Sequence, residues 1–261
     1  MSTRLTGFLR SLGIGRERVP RPAPRVPEGV VVYAVGDVHG ERTALENLLG
    51  RIREDAARRS AAPVAVFVGD YVDRGGDSRG VLDLLCGDPL PGFTLHRLRG
   101  NHEQAMLDFL AAPEAGAPWL EFGGVATLDS YGVRGLFGAP TAERLKTLRD
   151  ALDAGLPDAH RRLLQALEPY AVYGDYAFVH AGVRPGAPLA RQRLDDLLWI
   201  REPFLTWPAP HDKVIVHGHT VVPAPQLLPN RIAIDTGVYA SGVLTAVALE
   251  ADEVRIIQAR R

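Results

Sequence analysis

The stretch that decides the fold is VVVYAVGDVHG at residues 30–40, where a run of apolar residues leads directly into a glycine-flanked Asp-Val-His. An apolar run followed by a short polar island recurs four times further along the chain: GDYVDRG at 69–75, GNHE at 100–103, HAG at 180–182 and GHT at 218–220. Glycine allows the sharp turn that a strand end requires, and Asp, Asn and His supply ligands that suit divalent metal ions. One such island would be an ordinary turn, whereas five in this order predict a metal site.

The apolar runs before the islands have the length and the aliphatic content of β-strands. We therefore predict strands at 30–35, 64–68, 94–98, 176–179, 213–216 and 231–234. Helical spacing of apolar residues predicts helices within 41–59, 77–86 and 103–111, after the first three runs. Strand, loop and helix thus repeat three times, as in an α/β domain whose ligands bind beyond the carboxyl ends of the strands. Residues 244–249 and 254–259 predict a closing antiparallel hairpin.

The strand pattern is lost between Gln104 and Tyr170. Helical periodicity returns at 141–152 and 158–167, and a patch of glycine and aromatic residues lies at 119–124. We predict that residues 104–170 form a helical cap insertion beside the site. Because no ligand is assigned within it, we expect this segment to select substrates without taking part in the chemistry.

Residues 1–28 differ in composition from the rest of the chain. They carry six arginines and a proline-rich run at 20–27, with little apolar area to offset the cost of ordering. We predict a disordered basic tail, followed by one domain at 29–261. An alternative uses the helical spacing of Leu5, Phe8 and Leu12, which would form an amphipathic segment that weakly contacts an anionic membrane or a partner protein.

The overall composition is that of an ordinary globular protein. The 261 residues are 46% hydrophobic, and the net charge of -1 gives no indication of a nucleic-acid partner. The single Cys86 excludes an internal disulfide and fits a reducing compartment. No apolar stretch has the length of a transmembrane helix or the pattern of a secretory signal, so we expect a cytoplasmic protein.

The order and spacing of the five islands resemble those of the calcineurin-like metallophosphoesterases, in the bacterial and phage branch of the serine/threonine phosphoprotein phosphatases. The segments LLWIRE at 197–202 and IDTG at 234–237 also resemble that branch, so the likeness runs from Val30 to the C-terminus. It implies a four-layer α/β/β/α sandwich with a helical cap. It also implies a phosphomonoester hydrolase whose substrate is a protein or peptide phosphorylated on serine or threonine.

The resemblance implies two divalent metal ions, with manganese expected and iron or zinc as alternatives. Asp37, His39 and Asp70 would hold the first ion, and Asp70 would bridge to the second ion, whose further ligands would be Asn101, His180 and His219. Two metal ions about 3.5–4 Å apart lower the pKa of a shared water and bind phosphate oxygens, so that a bridging hydroxide attacks phosphorus in line.

Four further residues receive roles from the same motifs. Arg74 and Arg201 would bind the phosphate, because a guanidinium can hold two phosphate oxygens at once. His102 would be the general acid that protonates the departing alkoxide, and Asp73 would orient its ring.

Two other functions remain as alternatives. Symmetrical dinucleoside polyphosphate hydrolases are related enzymes, but they typically lack an acid before the arginine of the second island and have Asp after Asn-His, where this chain has Asp73 and Glu103. A catalytically silent metal-binding interaction module would be expected to lose a ligand, the acid or an arginine, and all of these residues are present.

Overall fold

A computed structural model describes residues 23–134 and 141–261. In chain order the first elements are β1 (Val30–Val35), α1 (Arg42–Ala56), β2 (Ala62–Phe67), α2 (Ser78–Cys86), β3 (Thr94–Arg97) and α3 (Asn101–Ala111). A 3-10 turn (Ala117–Leu120), α4 (Gly124–Ser130), α5 (Ala142–Gly155) and α6 (Asp158–Ala166) follow. The remaining elements are β4 (Ala171–Tyr173), β5 (Tyr176–Phe178), a 3-10 turn (Leu189–Arg191), α7 (Leu194–Trp199), β6 (Val214–His217), β7 (Gln226–Leu227), β8 (Arg231–Ala233), α8 (Val238–Ser241), β9 (Val243–Glu250) and β10 (Glu253–Arg260).

The strands form two five-stranded sheets with parallel centres. The first has the order β10-β9-β1-β2-β3, in which β1, β2 and β3 are parallel and the β9–β10 hairpin closes one edge in antiparallel pairing. The second has the order β4-β5-β6-β8-β7, in which β5, β6 and β8 are parallel. The five polar islands follow β1, β2, β3, β5 and β6. They therefore collect at the carboxyl ends of both sheets, where α/β proteins bind their ligands.

Three buried clusters separate the layers. One side of the first sheet packs on α1 to α6 through residues such as Tyr33, Leu48 and Phe109. Its other side meets the second sheet through a cluster that includes Val66 and Phe178. The outer side of the second sheet packs under α7 and the loop that follows it. This arrangement confirms the predicted four-layer α/β/β/α sandwich, because neither sheet could bury both of its apolar faces alone.

The helices of residues 104–170 pack on the same apolar cluster as α1 to α3. Leu128 of α4, Leu148 of α5 and Leu164 of α6 are all buried in it, beside Phe109 of α3. Local signals help to set the helix starts, since the Thr141 hydroxyl accepts a hydrogen bond from the Arg144 N–H at the beginning of α5. The segment is thus packed against the rest of the domain over its whole described length.

Part of the segment that composition assigned to the tail packs on the domain. Val26 is buried, and its N–H donates to the Ala251 carbonyl at 3.1 Å. Arg25 exchanges two hydrogen bonds with Asp175, so this stretch of prolines and arginines is held by hydrogen bonds of its backbone as well as by the buried Val26 side chain. Residues 1–22, including the amphipathic alternative at Leu5 to Leu12, lie outside the described residues. Within the described part of the chain, no helix has the length and hydropathy needed to span a bilayer.

Candidate metal centre

Left-handed backbone is concentrated at the islands. Six described residues other than glycine have positive φ, and five of these are predicted site residues: His39, Asp70, Asp73, Arg74 and His219, with φ between 44° and 73°. Each such residue costs on the order of 1–3 kcal/mol, and such strain is typically found at functional sites. Space is equally tight, because a Cβ on Gly218 would lie 1.9 Å from Asp37 Oδ1. The turns therefore bring the polar side chains together at some cost in backbone energy.

His39 presents a lone pair to the Asp70 carboxylate. Its Nδ1–H donates to the Val72 carbonyl at 2.9 Å, and burial lowers the pKa of His39 to about 3, so the ring is neutral and Nε2 carries no proton. That Nε2 lies 3.5 Å from Asp70 Oδ2. Two hydrogen-bond acceptors, His39 Nε2 and Asp70 Oδ2, therefore face each other without a proton between them. A cation bound between them would be attracted to both.

His180 repeats this arrangement on the other side of Asp70. Its Nδ1–H donates to the Val68 carbonyl at 3.0 Å, and burial lowers the pKa of His180. Its Nε2 therefore offers a lone pair, 3.4 Å from Asp70 Oδ1 and 2.8 Å from Asn101 Oδ1. His219 Nδ1 also lies 2.8 Å from Asn101 Oδ1, which brings the four ligands predicted for the second ion into one group.

Asp37 supplies an unpaired, buried oxygen. Its Oδ2 accepts a hydrogen bond from the His219 N–H at 2.9 Å, but Oδ1 has no hydrogen-bond partner. Burial, followed by repulsion from Asp235 and Asp70, raises the pKa of Asp37 well above its usual value. An orphaned carboxylate oxygen next to other buried acids fits a site for divalent cations, whose charge would offset the repulsion.

The possible ligand groups share Asp70. Side-chain nitrogen and oxygen atoms lie within 4.8 Å of one another in His39, Asp70 and His102, and likewise in Asp70, His180 and His219. The predicted bridging residue is therefore common to both groups. The first group contains His102 in place of the expected Asp37, because His102 Nε2 lies 3.8 Å from Asp70 Oδ2.

His102 is held by Asp73 through its other nitrogen. Nδ1 lies 2.6 Å from Asp73 Oδ2, while Nε2 faces the centre, 3.3 Å from an Arg74 guanidinium nitrogen. Burial alone lowers the pKa of His102, but Asp70 and then Asp73 outweigh it, and the pKa is raised above its ordinary value. The ring thus has one fixed nitrogen and one nitrogen free to exchange a proton at the centre.

Both predicted phosphate-binding arginines are exposed at the mouth of the site. The Arg74 guanidinium lies over the ring of Tyr239, 4.6 Å from its centroid, so its direction is set by stacking as well as by its left-handed backbone. Arg201 is close enough to lower the pKa of His180 and His219 through its charge, although burial is the larger cause for both histidines.

Comparison with known proteins decides the family, because the calcineurin-like phosphoesterase model matches residues 30–250. The chain belongs to the calcineurin-like phosphoesterase family. It is a metallophosphoesterase, and the expected divalent metal centre follows from that membership and from the His and Asp groups around Asp70.

Named relatives of this metallophosphoesterase act on two kinds of substrate. It is 30% identical to serine/threonine-protein phosphatase 1 of Salmonella typhimurium, over 84% of this chain and 92% of that protein. It is 26% identical to an asymmetrical bis(5'-nucleosyl)-tetraphosphatase of Geobacillus thermodenitrificans, over 82% of this chain and 88% of that protein. A solved structure described as a putative diadenosine tetraphosphatase shares the fold, with a TM-score of 0.58 and 22% identity over 91% of this chain and 99% of that chain.

Several residues at the metallophosphoesterase site were not found from the sequence. Tyr239 contacts both Arg74 and the ring of His39, and it lies only two residues after the IDTG segment that carried part of the resemblance. Phe122 and Trp199 are 41% and 39% exposed and stand 6.1 Å apart, the first beside His102 and the second beside His219. Phe122 lies in the 119–124 patch and Trp199 in the LLWIRE segment, both noted in the sequence, but no local pattern showed that these distant segments would meet at the site.

Glu103 fastens the second island to the third. Its carboxylate accepts hydrogen bonds from the backbone N–H groups of Asp70, Tyr71, Val72 and Gly100 at 2.7–3.2 Å. Burial, and then the charge of Asp70, raise the pKa of Glu103 to about 7. The sequence used this residue only to distinguish enzyme branches, whereas here it holds the backbone of the candidate bridging ligand.

Three further residues near the islands, His217, Tyr71 and Asp235, have separate positions. His217 makes an edge-to-face contact with Phe204, and its nitrogens face the Gly218 carbonyl and the Arg231 guanidinium. Tyr71 is fully buried and its hydroxyl donates to the Leu98 carbonyl, so it packs rather than lining the cleft. Asp235 accepts a hydrogen bond from the Gly237 N–H and lies against Asp37, so it both supports a turn and lines the site.

Proposed function

We propose that this metallophosphoesterase removes phosphate from phosphoserine and phosphothreonine in protein or peptide substrates. The observation that carries the proposal is the buried Asp73–His102 pair, which points one imidazole nitrogen at the centre beside an exposed arginine. Serine and threonine alkoxides are poor leaving groups and need a proton in the transition state, which a positioned histidine can supply. The relatives named as protein phosphatases support the same substrate class.

Six side chains would hold two divalent ions. Asp37, His39 and Asp70 are assigned to one ion, and Asp70 with Asn101, His180 and His219 to the other. When bound, such a pair supplies an activated water and charge to stabilise the transition state. A donor set of oxygen and nitrogen without thiolate suits manganese, iron or zinc, and of these we propose manganese. The single cysteine supports a cytoplasmic location.

The protein's own groups then divide the remaining work. Arg74 and Arg201 bind the phosphate oxygens that do not leave, since both guanidinium groups are exposed at the mouth of the site. As the imidazolium, His102 gives its Nε2 proton to the departing alkoxide, while its Nδ1–H stays hydrogen-bonded to Asp73, which leaves the neutral Nδ1–H ring. Although His102 lies near Asp70, we assign it as the acid and not as a metal ligand, because its hydrogen bond to Asp73 sets the direction of the ring.

Dinucleoside polyphosphate hydrolysis is the competing function, and the Geobacillus relative favours it in its asymmetrical form. A panel of phosphoserine and phosphothreonine peptides, diadenosine tetraphosphate and small phosphomonoesters, assayed with manganese-loaded protein, separates the two. We expect the highest kcat/KM on the phosphopeptides. A higher value on diadenosine tetraphosphate would reassign the substrate, and no turnover on any of them would favour the interaction module.

A further inference from the structure

Asp73 is fully buried and makes hydrogen bonds with several groups besides the His102 ring. Its Oδ2 accepts a hydrogen bond from the Trp119 indole N–H at 2.8 Å, and its Oδ1 accepts one from the Thr127 hydroxyl at 2.6 Å. The Asp73 N–H donates in turn to the oxygens of Ser78 and Thr127. Both carboxylate oxygens are therefore occupied, which leaves one orientation of the carboxylate that also reaches His102.

These partners come from the segment that was expected to select substrates. Trp119 belongs to the 3-10 turn after α3, and Thr127 lies in α4, so they are 46 and 54 residues away from Asp73. Between them, the Gly123 carbonyl accepts a hydrogen bond from the Arg74 N–H at 3.3 Å. Residues 119–127 thus hold the Asp73-Arg74 turn at three points.

Trp119 is 1% exposed, so it is not available to a substrate. It packs on Phe109, with ring centroids 5.1 Å apart, and its N–H has its partner in Asp73. Packing alone would use the ring and not the N–H. The hydrogen bond therefore gives the side chain a polar contact with the Asp73–His102 pair in addition to its place in the core.

We propose that Trp119 and Thr127 are positioning residues for the reaction: by fixing both oxygens of Asp73 they hold the His102 ring in the orientation that delivers its proton to the leaving group. This inference rests on the proposed acid role of His102. It assigns to the helical segment a part in the chemistry, through hydrogen bonds rather than through contact with substrate. Partners of this kind typically change activity by roughly 10-fold to 100-fold when removed.

The test compares a phosphoserine peptide with nitrophenyl phosphate under single-turnover conditions. Thr127→Val keeps the shape and removes the hydroxyl, and Trp119→Phe keeps an aromatic ring and removes the N–H. We expect each variant to lose roughly 10-fold or more on the peptide, with a much smaller loss on the aryl ester, which needs little protonation. Since one folded fraction serves both substrates, the ratio of the two rates does not depend on how much protein is folded.

Two controls accompany these variants. Thr127→Ser retains the hydroxyl and should keep the wild-type rate ratio. Ser130 lies in the same helix, and its hydroxyl donates to the Thr127 carbonyl and not to Asp73. Ser130→Ala should therefore leave both rates unchanged. Metal content, measured on each purified protein, should equal that of the wild type.

A combination with His102→Asn identifies which proposal fails if one does. His102→Asn alone should shift the rate ratio strongly, and Thr127→Val added to it should shift the ratio no further, because the positioned group is already gone. Equal losses on both substrates for Thr127→Val and Trp119→Phe would overturn the positioning role. So would a Thr127→Val shift in the rate ratio that is as large on the His102→Asn background as on the wild type. If His102→Asn itself left the ratio unchanged, the acid role would fall first.

Discussion

Glu103 offers a quantitative test of how the candidate centre is held together. Four backbone N–H groups point at its two carboxylate oxygens, those of Asp70 and Gly100 at Oε2 and those of Tyr71 and Val72 at Oε1. In Glu103→Gln, an NH₂ group replaces one oxygen and faces two donors that have no other acceptor. Two hydrogen bonds to a charged group are lost, each worth about 1.5–3 kcal/mol.

We expect the metal-loaded variant to be destabilised by about 3 kcal/mol, the lower end of that sum, because removing a buried charge recovers part of the loss. For a domain of this size, the corresponding fall in the thermal midpoint is about 6–12 °C. Asp70 would also lose the bond that fixes its backbone, so metal affinity should fall by roughly 10-fold to 100-fold. Thermal unfolding and metal titration by calorimetry measure the two effects.

Metal-free protein should behave differently. Burial and the Asp70 charge raise the folded-state pKa of Glu103 to about 7. A raised pKa contributes stability that is complete below the unfolded pKa of about 4.3 and is lost as the pH rises through 7. Without metal, the difference in stability between wild type and Glu103→Gln should therefore shrink above pH 7.

Asp108→Asn is the matched control, since it removes a carboxylate from an exposed position of the same helix. A Glu103→Gln protein with the same stability and the same metal affinity as this control would contradict the proposed role of Glu103 in holding the Asp70 backbone.

Three further outcomes are expected. Arg74→Ala should slow phosphopeptide and nitrophenyl phosphate hydrolysis alike, by roughly 10²-fold, because both substrates present the same phosphate oxygens. Arg79→Ala is the control, since Arg79 is also exposed. A loss on only one substrate would argue against phosphate binding by Arg74. Asp55 is partly buried, which raises its pKa, but hydrogen bonds from Arg59, Arg255 and Tyr33 bring that pKa below its usual value. The stabilising contribution of the Asp55 carboxylate is therefore present above about pH 4 and lost below it. Asp55→Asn should cost about 1 kcal/mol of stability at pH 7 and less near pH 3, as read from thermal midpoints. A cost that did not change with pH would disprove this dependence on the Asp55 charge. Phe122→Ala should raise KM for phosphopeptides more than for nitrophenyl phosphate, since this exposed ring lies beside His102, and an equal change in both would remove it from substrate selection.

The sequence predicted well what depends on local pattern. The bounds of β1 agree with the structure, because five of its six residues are buried and Gly36 ends the run. The collection of islands at the strand ends followed from the repeated strand, loop and helix order, whereas the two-sheet sandwich was implied by the family resemblance. β4 and β7 were missed, because these strands of three and two residues precede none of the polar islands and form by pairing with β5 and β8.

The contacts that shape the candidate site were less accessible. Asp73 was assigned its role from a motif, but its partners Trp119 and Thr127 lie far away in sequence, and no local pattern connects them. Tyr239 similarly meets Arg74 only after the chain has passed through the second sheet. The packing of Arg25 and Val26 was inaccessible for a related reason, because it depends on backbone hydrogen bonds that composition does not reveal.

Metal analysis of Asp70→Asn tests the dinuclear centre most directly. Asp70 is the one residue shared by the two candidate groups, with one oxygen facing His39 and the other facing His180. Metal content by mass spectrometry, measured alongside phosphopeptide turnover on the same sample, should fall from two ions per chain in the wild type to fewer in the variant, with turnover falling too. A variant that retained two ions and near-normal turnover would contradict a bridging role for Asp70.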